Sequence, residues 1–546
     1  MATPQEKLAN ALEHLKSLQD KGVLAFRHAD FSRIDREILM KHNFLEEVLR
    51  GWYIATPNDR KKGDSTAWFT SFWGFTAQYL SHRFGENYCL SVEQSLSIHV
   101  GNETIPHQLI IRCSEEVNGL VTLPYGTSLF VMHSAKASEL PLDTYQGLRL
   151  IDFHYALVHC SPSVYVQRPT EMRTALLMIS DVSELLRILL DGGHSIIAGR
   201  LVGAFRNVKR DKEADSILKT MTSAGYSIRE SDPFEQETPQ LLTHRIVSPY
   251  VHRIQLMWNA MRPAIIELFP KEPGIPTDHS RYLQQIEDLY TTDAYHSLSI
   301  ERYQVTPELI ELVRSGKWDA KSSSYEKQQR DAMAARGYYQ AFQEVKKSVE
   351  LILKGENAGK VLNDHHGDWY RELFAPSVTA GILKPSDLAG YRVNQVYIGQ
   401  SKHTPLNKDA VRDTMPILFE LLSQETHAGV RAVLGHFFFV YIHPYMDGNG
   451  RIGRFILNAM LCSGGYPWTV IPVEYRDEYM QALESASVEQ NIVPFAEFIS
   501  KLVQKGLEND PVANFFKSNT DYSDNYARFF PHGHAYGDDV FGLLYF

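Results

Sequence analysis

Cysteine is scarce in this sequence. Cys89, Cys113, Cys160 and Cys462 are scattered over 546 residues with no C-x-x-C pair. That spacing indicates neither a disulfide framework nor a thiolate zinc site, and it fits a reducing cytosol. Long apolar runs are missing too. No stretch approaches the roughly 18 residues of a membrane span, and the opening Met1 to Glu6 lacks the charged-then-apolar pattern of a secretory leader. A cytoplasmic protein without membrane contact is therefore expected. There is no basic excess: 55 Lys and Arg face 65 Asp and Glu, for a net charge of −10. This argues against nucleic-acid coating by the whole chain and leaves only a local basic face open. No repeat or low-complexity tract stands out. The remainder is ordinary globular composition, 44% hydrophobic and 22% charged, and the length suits two to four domains.

Against that background one stretch is dense in chemistry: His443-Pro444-Tyr445-Met446-Asp447-Gly448-Asn449-Gly450-Arg451-Ile452-Gly453-Arg454. Upstream, residues 428 to 442 carry Val430, Val433, Leu434, Phe437, Phe438 and Tyr441 at helical spacing. Downstream, residues 451 to 462 read as a second apolar helix, ended by Gly464, Gly465 and Pro467. A glycine-rich bend opening onto a helix N-terminus turns amide groups outward and favours an anion. Arg451 and Arg454 add two fixed charges on one face of the first turn. Asp447 is a hard oxygen ligand suited to Mg²⁺ beside phosphates, and His443 is placed to act as a base. Each piece alone is commonplace. Together they point to a nucleotide site with metal and base.

The same twelve residues resemble the Fic family signature H-P-F-x-D/E-G-N-G-R-x-x-R, with Tyr445 in place of Phe. The resemblance implies transfer of AMP from ATP to a hydroxyl side chain of a protein. It implies His443 as the base, Asp447 as the Mg²⁺ ligand, and the Gly448-Asn449-Gly450 backbone as the anion hole. Arg451 and Arg454 become the phosphate clamps. The Doc-like branch, which transfers a γ-phosphoryl group, has Lys within its anion loop. Gly450 precedes Arg451 here, which favours nucleotidyl transfer.

Ser297 and Glu301 form an i, i+4 pair that alone would be ordinary. Beside the signature they resemble the family's inhibitory motif S/T-x-x-x-E-G/N, which implies a Glu301–Arg454 pair that blocks productive docking of the ATP γ-phosphate. Arg302 departs from the usual Gly or Asn. Val396, Tyr397, Ile398 and Gly399 match the family's flap, a hairpin that covers the nucleotide. It pairs with an extended target segment by strand addition. Tyr479 and Met480 match the adenine-packing positions, although an aromatic and a thioether suit core packing equally.

Taken in order, residues 5 to 19 form an amphipathic helix. Asp30 or Ser32 caps a second helix, and residues 49 to 54 are β-like, giving a winged-helix-like module over 1–62. Its 11 Lys and Arg against 9 Asp and Glu make a weak electrostatic case for DNA. Residues 63–240 mix short strands, near 109–112 and 129–132, with helices. The first 240 residues resemble AbiEi-type antitoxin relatives. The features are Arg50-Gly51-Trp52-Tyr53, Ala198-Gly199-Arg200-Leu201, Ala214-Asp215 and Ala224-Gly225-Tyr226. This resemblance implies a DNA-binding or antitoxin-derived regulatory half. Residues 241–506 are strongly helical and carry the Fic-like elements, and a tail of unassigned role spans 507–546. The expected fold is thus multidomain: an α+β winged-helix-like region, then a mainly α-helical Fic domain with a β-hairpin flap. The expected function is a protein adenylyltransferase using ATP and Mg²⁺ on a Ser, Thr or Tyr of a protein, or on itself. The competing reading is a DNA-binding, antitoxin-like regulator whose nucleotide site is a sensor or self-modifier.

Overall fold

The structure is a computed structural model that describes residues 3–58, 63–235, 237, 248–318 and 326–508. Most of the tail expected at 507–546 lies outside the described residues. The described residues divide into two compact units, one within residues 3–256 together with 397–404, the other within residues 257–396 together with 405–508.

In the first unit, Pro4–Gln19 (α1) starts on a Thr3 capping box, Thr3 Oγ1 accepting from the Glu6 amide while Glu6 reaches back. Arg33–Lys41 (α2) is capped by Ser32, whose side chain accepts from the Asp35 amide. Strands Ala25–Arg27 (β1), Leu45–Leu49 (β2) and Trp52–Ala55 (β3) form an antiparallel sheet in the order β1-β3-β2. Gly51 makes the β2–β3 turn at φ 78°, a conformation that favours glycine.

Thr66–Phe84 (α3) is apolar on nearly every face and buries Trp68, Phe72, Phe75 and Leu80 completely. A four-stranded sheet follows, with Tyr88–Leu90 (β4), Gln108–Cys113 (β5), Gly119–Thr122 (β6) and Ser128–His133 (β7) in the order β4-β5-β7-β6. β5 and β7 run parallel. Alternate residues Leu109, Ile111 and Cys113 of β5 are buried, as expected of a sheet with one covered face. A hairpin, Leu142–Tyr145 (β8) and Leu148–Ile151 (β9), and a helical cluster over 153–223 complete this part.

Residues 397–404 belong to the same unit. The Ile105 amide donates to the Lys402 carbonyl at 3.1 Å. The Gln400 amide donates to Thr66 Oγ1 at 3.1 Å, and Thr404 Oγ1 donates to the Glu103 carbonyl at 3.2 Å.

The second unit is a helical bundle. Its elements for the site are Tyr290–Ile300 (α4), Glu326–Leu353 (α5), Ala358–Thr379 (α6), Lys408–Gln424 (α7), Ala428–Ile442 (α8), Asn449–Cys462 (α9), Arg476–Val488 (α10) and Val493–Leu507 (α11). α8 and α9 pack as a pair around the chemistry-rich bend. Both are almost wholly buried, with Phe438, Phe439, Phe455 and Leu457 at zero exposure.

One expectation is corrected. No strand forms between Gly390 and Asn407, so there is no β-hairpin there. Side chains take the carbonyls that a ladder would use. Arg392 donates to the carbonyls of Asn394 and Leu406, and Gln395 donates to those of Val396 and Pro405.

Candidate nucleotide-transfer site

α8 ends at Ile442, and His443 follows in the left-handed conformation at φ 56°, ψ 62°. A β-carbon residue there costs roughly 1–2 kcal/mol, so the turn is held by its surroundings. His443 Nδ1 lies 3.2 Å from the Val440 carbonyl. A carbonyl only accepts, so Nδ1 carries the proton and Nε2 keeps its lone pair for a substrate. Burial, with the Arg392 guanidinium adding to it, pulls the imidazole down to about 4. It is a neutral acceptor near pH 7. His443 also feels the charges of Asp447 and Glu301, which places it electrostatically with the bend.

The bend is braced from within. Asn449 Oδ1 accepts from the Tyr445 amide at 2.9 Å, and Asn449 Nδ2 donates to the Tyr445 carbonyl at 2.8 Å. Tyr445 stacks on Tyr370 with ring centres 3.8 Å apart and an interplanar angle of 3°. It is 1% exposed, so the Phe-to-Tyr departure still gives a core anchor. Gly448, at φ 81°, precedes α9 without any side-chain cap. The first bond of α9 runs from the Ile452 amide to the Gly448 carbonyl. The amides before it, of Asn449, Gly450 and Arg451, are those a helix leaves for an external acceptor.

Arg451 is 1% exposed. It donates to Asp447 Oδ2 at 3.1 Å, and its guanidinium lies over the rings of Phe374 and Tyr303 at 4.9 and 5.2 Å. Its Nε is buried without a partner, a donor in want of an anion. Asp447 is nearly half exposed, and its Oδ1 accepts from the Gly448 amide. Among the described residues no cluster of three or more His, Cys, Asp or Glu could cage a metal. One accessible carboxylate fits Mg²⁺, which takes one or two protein carboxylates and fills its remaining positions from phosphates and water.

Arg454, 4% exposed, is held through Nε and Nη2 at the C-terminal end of α4. Its Nε donates to Ser297 Oγ at 2.8 Å, and its Nη2 donates to the Ser297 carbonyl at 3.0 Å and to Glu301 Oε1 at 2.7 Å. Ser297, Glu301 and Arg454 thus form one constellation. Burial alone would raise the Glu301 carboxyl; the charges of Arg454 and Arg451 outweigh it and hold Glu301 below its ordinary value. Glu301 also presses on the bend, since a β-carbon at Gly450 would lie 2.4 Å from Glu301 Oε1. α4 is pinned elsewhere too. Tyr338 donates to the buried Asp293 at 2.7 Å, the Val473 amide donates to His296 Nδ1 at 3.1 Å, and Arg476 Nε caps the Ile300 carbonyl at 2.9 Å.

Arg302 shows how its departure from Gly or Asn is accommodated: it takes φ 68°, so the turn after Glu301 forms at a strain cost. Its exposed side chain also opposes the charge of Arg476. Arg302→Asn, which tolerates this conformation better, is expected to stabilise the protein by about 0.5–1 kcal/mol. Chemical denaturation followed at unit-2 aromatic signals checks this, and an unchanged or lowered midpoint would contradict it.

The remaining sequence candidates are dispersed. Val396 is buried in the second unit, whereas Tyr397, Ile398 and Gly399 fall in the first. Tyr479 is 2% exposed and bonds through its hydroxyl to His436 Nε2 at 2.8 Å. Met480, beside it on α10, is partly exposed. Sequence reasoning missed Phe374 and Tyr303, the two rings against Arg451, and Arg392. Their partners lie far away along the chain, where local spacing gives no signal.

Residues 363–461 match the Fic/DOC family model, so the helices carrying the bend form a Fic/DOC domain. Over 132 residues the chain is 34% identical to protein adenylyltransferase Fic of Drosophila willistoni, covering 23% of this chain and 26% of that one. Over 125 residues it is 31% identical to protein adenylyltransferase fic-1 of Caenorhabditis elegans, covering 22% and 24%. The chain therefore spans about a quarter of the length of these curated relatives. A solved fragment of C. elegans Fic-1 aligns at 16% identity with a TM-score of 0.36, over 67% of this chain and 92% of that one. A Fic domain containing signaling protein from Bacteroides thetaiotaomicron aligns at 17% identity and TM-score 0.34, over 46% and 94%.

Proposed function

We propose that the protein is an adenylyltransferase that moves AMP from ATP to a Ser, Thr or Tyr hydroxyl of a protein, and that Glu301 restrains it. The observation that carries this reading is the joint placement of a neutral imidazole, an uncapped glycine-rich helix start and two buried arginines, one of them held by Glu301. The names of the curated relatives support the same reaction.

In this reading the phosphates lie on the amides of Asn449, Gly450 and Arg451, and the Arg451 Nε finds its missing acceptor. His443 Nε2 takes the proton of the target hydroxyl. The freed oxygen bonds to the α-phosphorus as the bond to the β-phosphate bridging oxygen breaks, and pyrophosphate leaves. Positioning and charge stabilisation supply most of the rate. Asp447 would hold Mg²⁺, which would neutralise charge at the phosphates. Val396, Tyr397, Ile398 and Gly399 are assigned to covering the nucleotide and receiving an extended target segment. Met480, with Tyr479 behind it, is assigned to the adenine end. Incubation with ATP followed by intact mass of the chain and of lysate proteins tests the reaction. One added AMP per modified chain is expected, and a phosphoryl or other nucleotidyl mass would overturn the choice of donor group.

A second reading concerns residues 1–62. Two helices with a β1-β3-β2 sheet suit a winged-helix-like module, in line with an AbiEi-like half and a DNA partner. Arg33 is bonded to Glu37 at 2.8 Å, and Arg36 to the His28 carbonyl at 3.1 Å. These bonds engage the two arginines of α2 locally, so DNA ranks below a protein substrate. A gel shift of the full chain, repeated across salt concentrations, decides this.

A further inference from the structure

Arg392 is among the largest fully buried side chains, at 1% exposure, and among the described residues no carboxylate forms an ion pair with it. Burial lowers its guanidinium to about 10. A buried cation without a counter-ion is costly unless its donors are all engaged. Here they converge on main-chain oxygens. Nε donates to the His443 carbonyl at 2.8 Å, Nη1 to the Asn394 carbonyl at 2.9 Å, and Nη2 to the carbonyls of Leu406 and, at 3.5 Å, Ile442. The Arg392 amide donates to the Pro444 carbonyl at 2.9 Å. Three consecutive carbonyls, of Ile442, His443 and Pro444, therefore bond to one residue. They bracket the strained left-handed turn that aims the imidazole. The cation also sits at the C-terminal, negative end of α8. The same guanidinium holds Asn394 and Leu406, which flank the segment assigned above to the nucleotide and the target.

We infer that Arg392 is a positioning residue for transfer: it clamps the main chain on both sides of His443 and fastens it to both roots of the 394–406 segment. The inference rests on the adenylyltransferase reading. Lysine keeps the charge but cannot replicate a planar fork bonded to carbonyls in several directions. A base displaced by about 1 Å loses on the order of 10²-fold in rate.

The test uses the full chain carrying Glu301→Gly as the active parent. Arg392→Lys and Arg392→Ala are added separately. Transfer of labelled AMP to the chain itself and to lysate proteins is timed, and ATP affinity is measured by equilibrium binding. Both variants are expected to lose roughly 10²-fold in transfer rate with ATP affinity within about twofold, and added guanidinium ion is expected to restore part of the rate to Arg392→Ala. Rates equal to the parent, or rate and affinity falling together, overturn the inference. So does loss of folding in both variants, judged by circular dichroism, because the residue would then serve stability alone. A silent Glu301→Gly parent overturns the adenylyltransferase reading first, and the role of Arg392 with it; an active parent with unaffected Arg392 variants overturns only the latter.

Discussion

Glu301→Gly is expected to raise the rate of AMP transfer by about 5–150-fold, the range of a coupling of 1–3 kcal/mol between an inhibitory contact and a binding site. The reason is geometric. Among the described residues Arg454 forms its ion pair with Glu301 Oε1, at 2.7 Å, and that carboxylate would lie 2.4 Å from a β-carbon at Gly450. Removing it frees both a guanidinium and the space over the bend. Breaking a buried ion pair can cost 3–5 kcal/mol when a charge is left stranded. Here Arg454 retains Ser297 Oγ and the Ser297 carbonyl, and Glu301 is a third exposed. The stability loss is therefore expected to be well below that range. Rates with labelled ATP, beside a thermal melt with and without ATP, check both halves. The variant should label faster and should gain more from ATP in the melt than the wild type. Equal rates would show that the pair does not restrain the site.

His443→Ala, made in the Glu301→Gly background, is expected to lose transfer by roughly 10²–10⁴-fold, the usual contribution of a general base. ATP affinity should stay close to that of the parent, because the phosphate donors proposed above lie on the bend and on Arg451 and Arg454. Labelling at the parental rate would remove His443 from the chemistry. The pH profile adds a sign. An ordinary imidazole protonates near 6.5, whereas burial and Arg392 bring His443 down to about 4. The basic form therefore persists as the medium is acidified. Transfer is expected to stay level from pH 8 to about 5 and to decline only near pH 4, measured over a range in which circular dichroism shows the parent still folded. A decline centred near 6.5 would mean that the imidazole is solvated and that the clamp around it is loose.

The parts of this arrangement that were legible in the sequence are the ones with local causes. The boundaries of α8 followed from its apolar spacing. Ser32, one of the two caps expected for α2, caps it by accepting from the Asp35 amide. The bend declared itself through its glycines. The Glu301–Arg454 pair was legible only through family resemblance, since 153 positions separate the partners. α6 and α7 went unread. Each contains an internal proline, Pro376 and Pro416, which reads locally as a breaker, whereas packing against neighbouring helices overrides it. The hairpin expected at Val396 to Gly399 failed for another reason. Its β-like residues were visible, but Arg392 and Gln395 take the carbonyls of Asn394, Val396, Pro405 and Leu406, and no periodicity records such bonds.

The crowding at Gly450 sets the terms on which the restraint works. In the proposed restraint Glu301 and an incoming phosphate oxygen compete for the space beside Gly450, where an added β-carbon would lie 2.4 Å from Glu301 Oε1. Restraint is then a contest for a single seat, and its outcome depends on how much nucleotide is present. Each 1.4 kcal/mol by which the α4 anchors favour the carboxylate raises tenfold the ATP concentration needed to displace it. On the proposed reading, substitutions at Tyr338, His296 or Arg476, which anchor α4 through their side chains, would shift the ATP threshold and leave the transfer step itself intact.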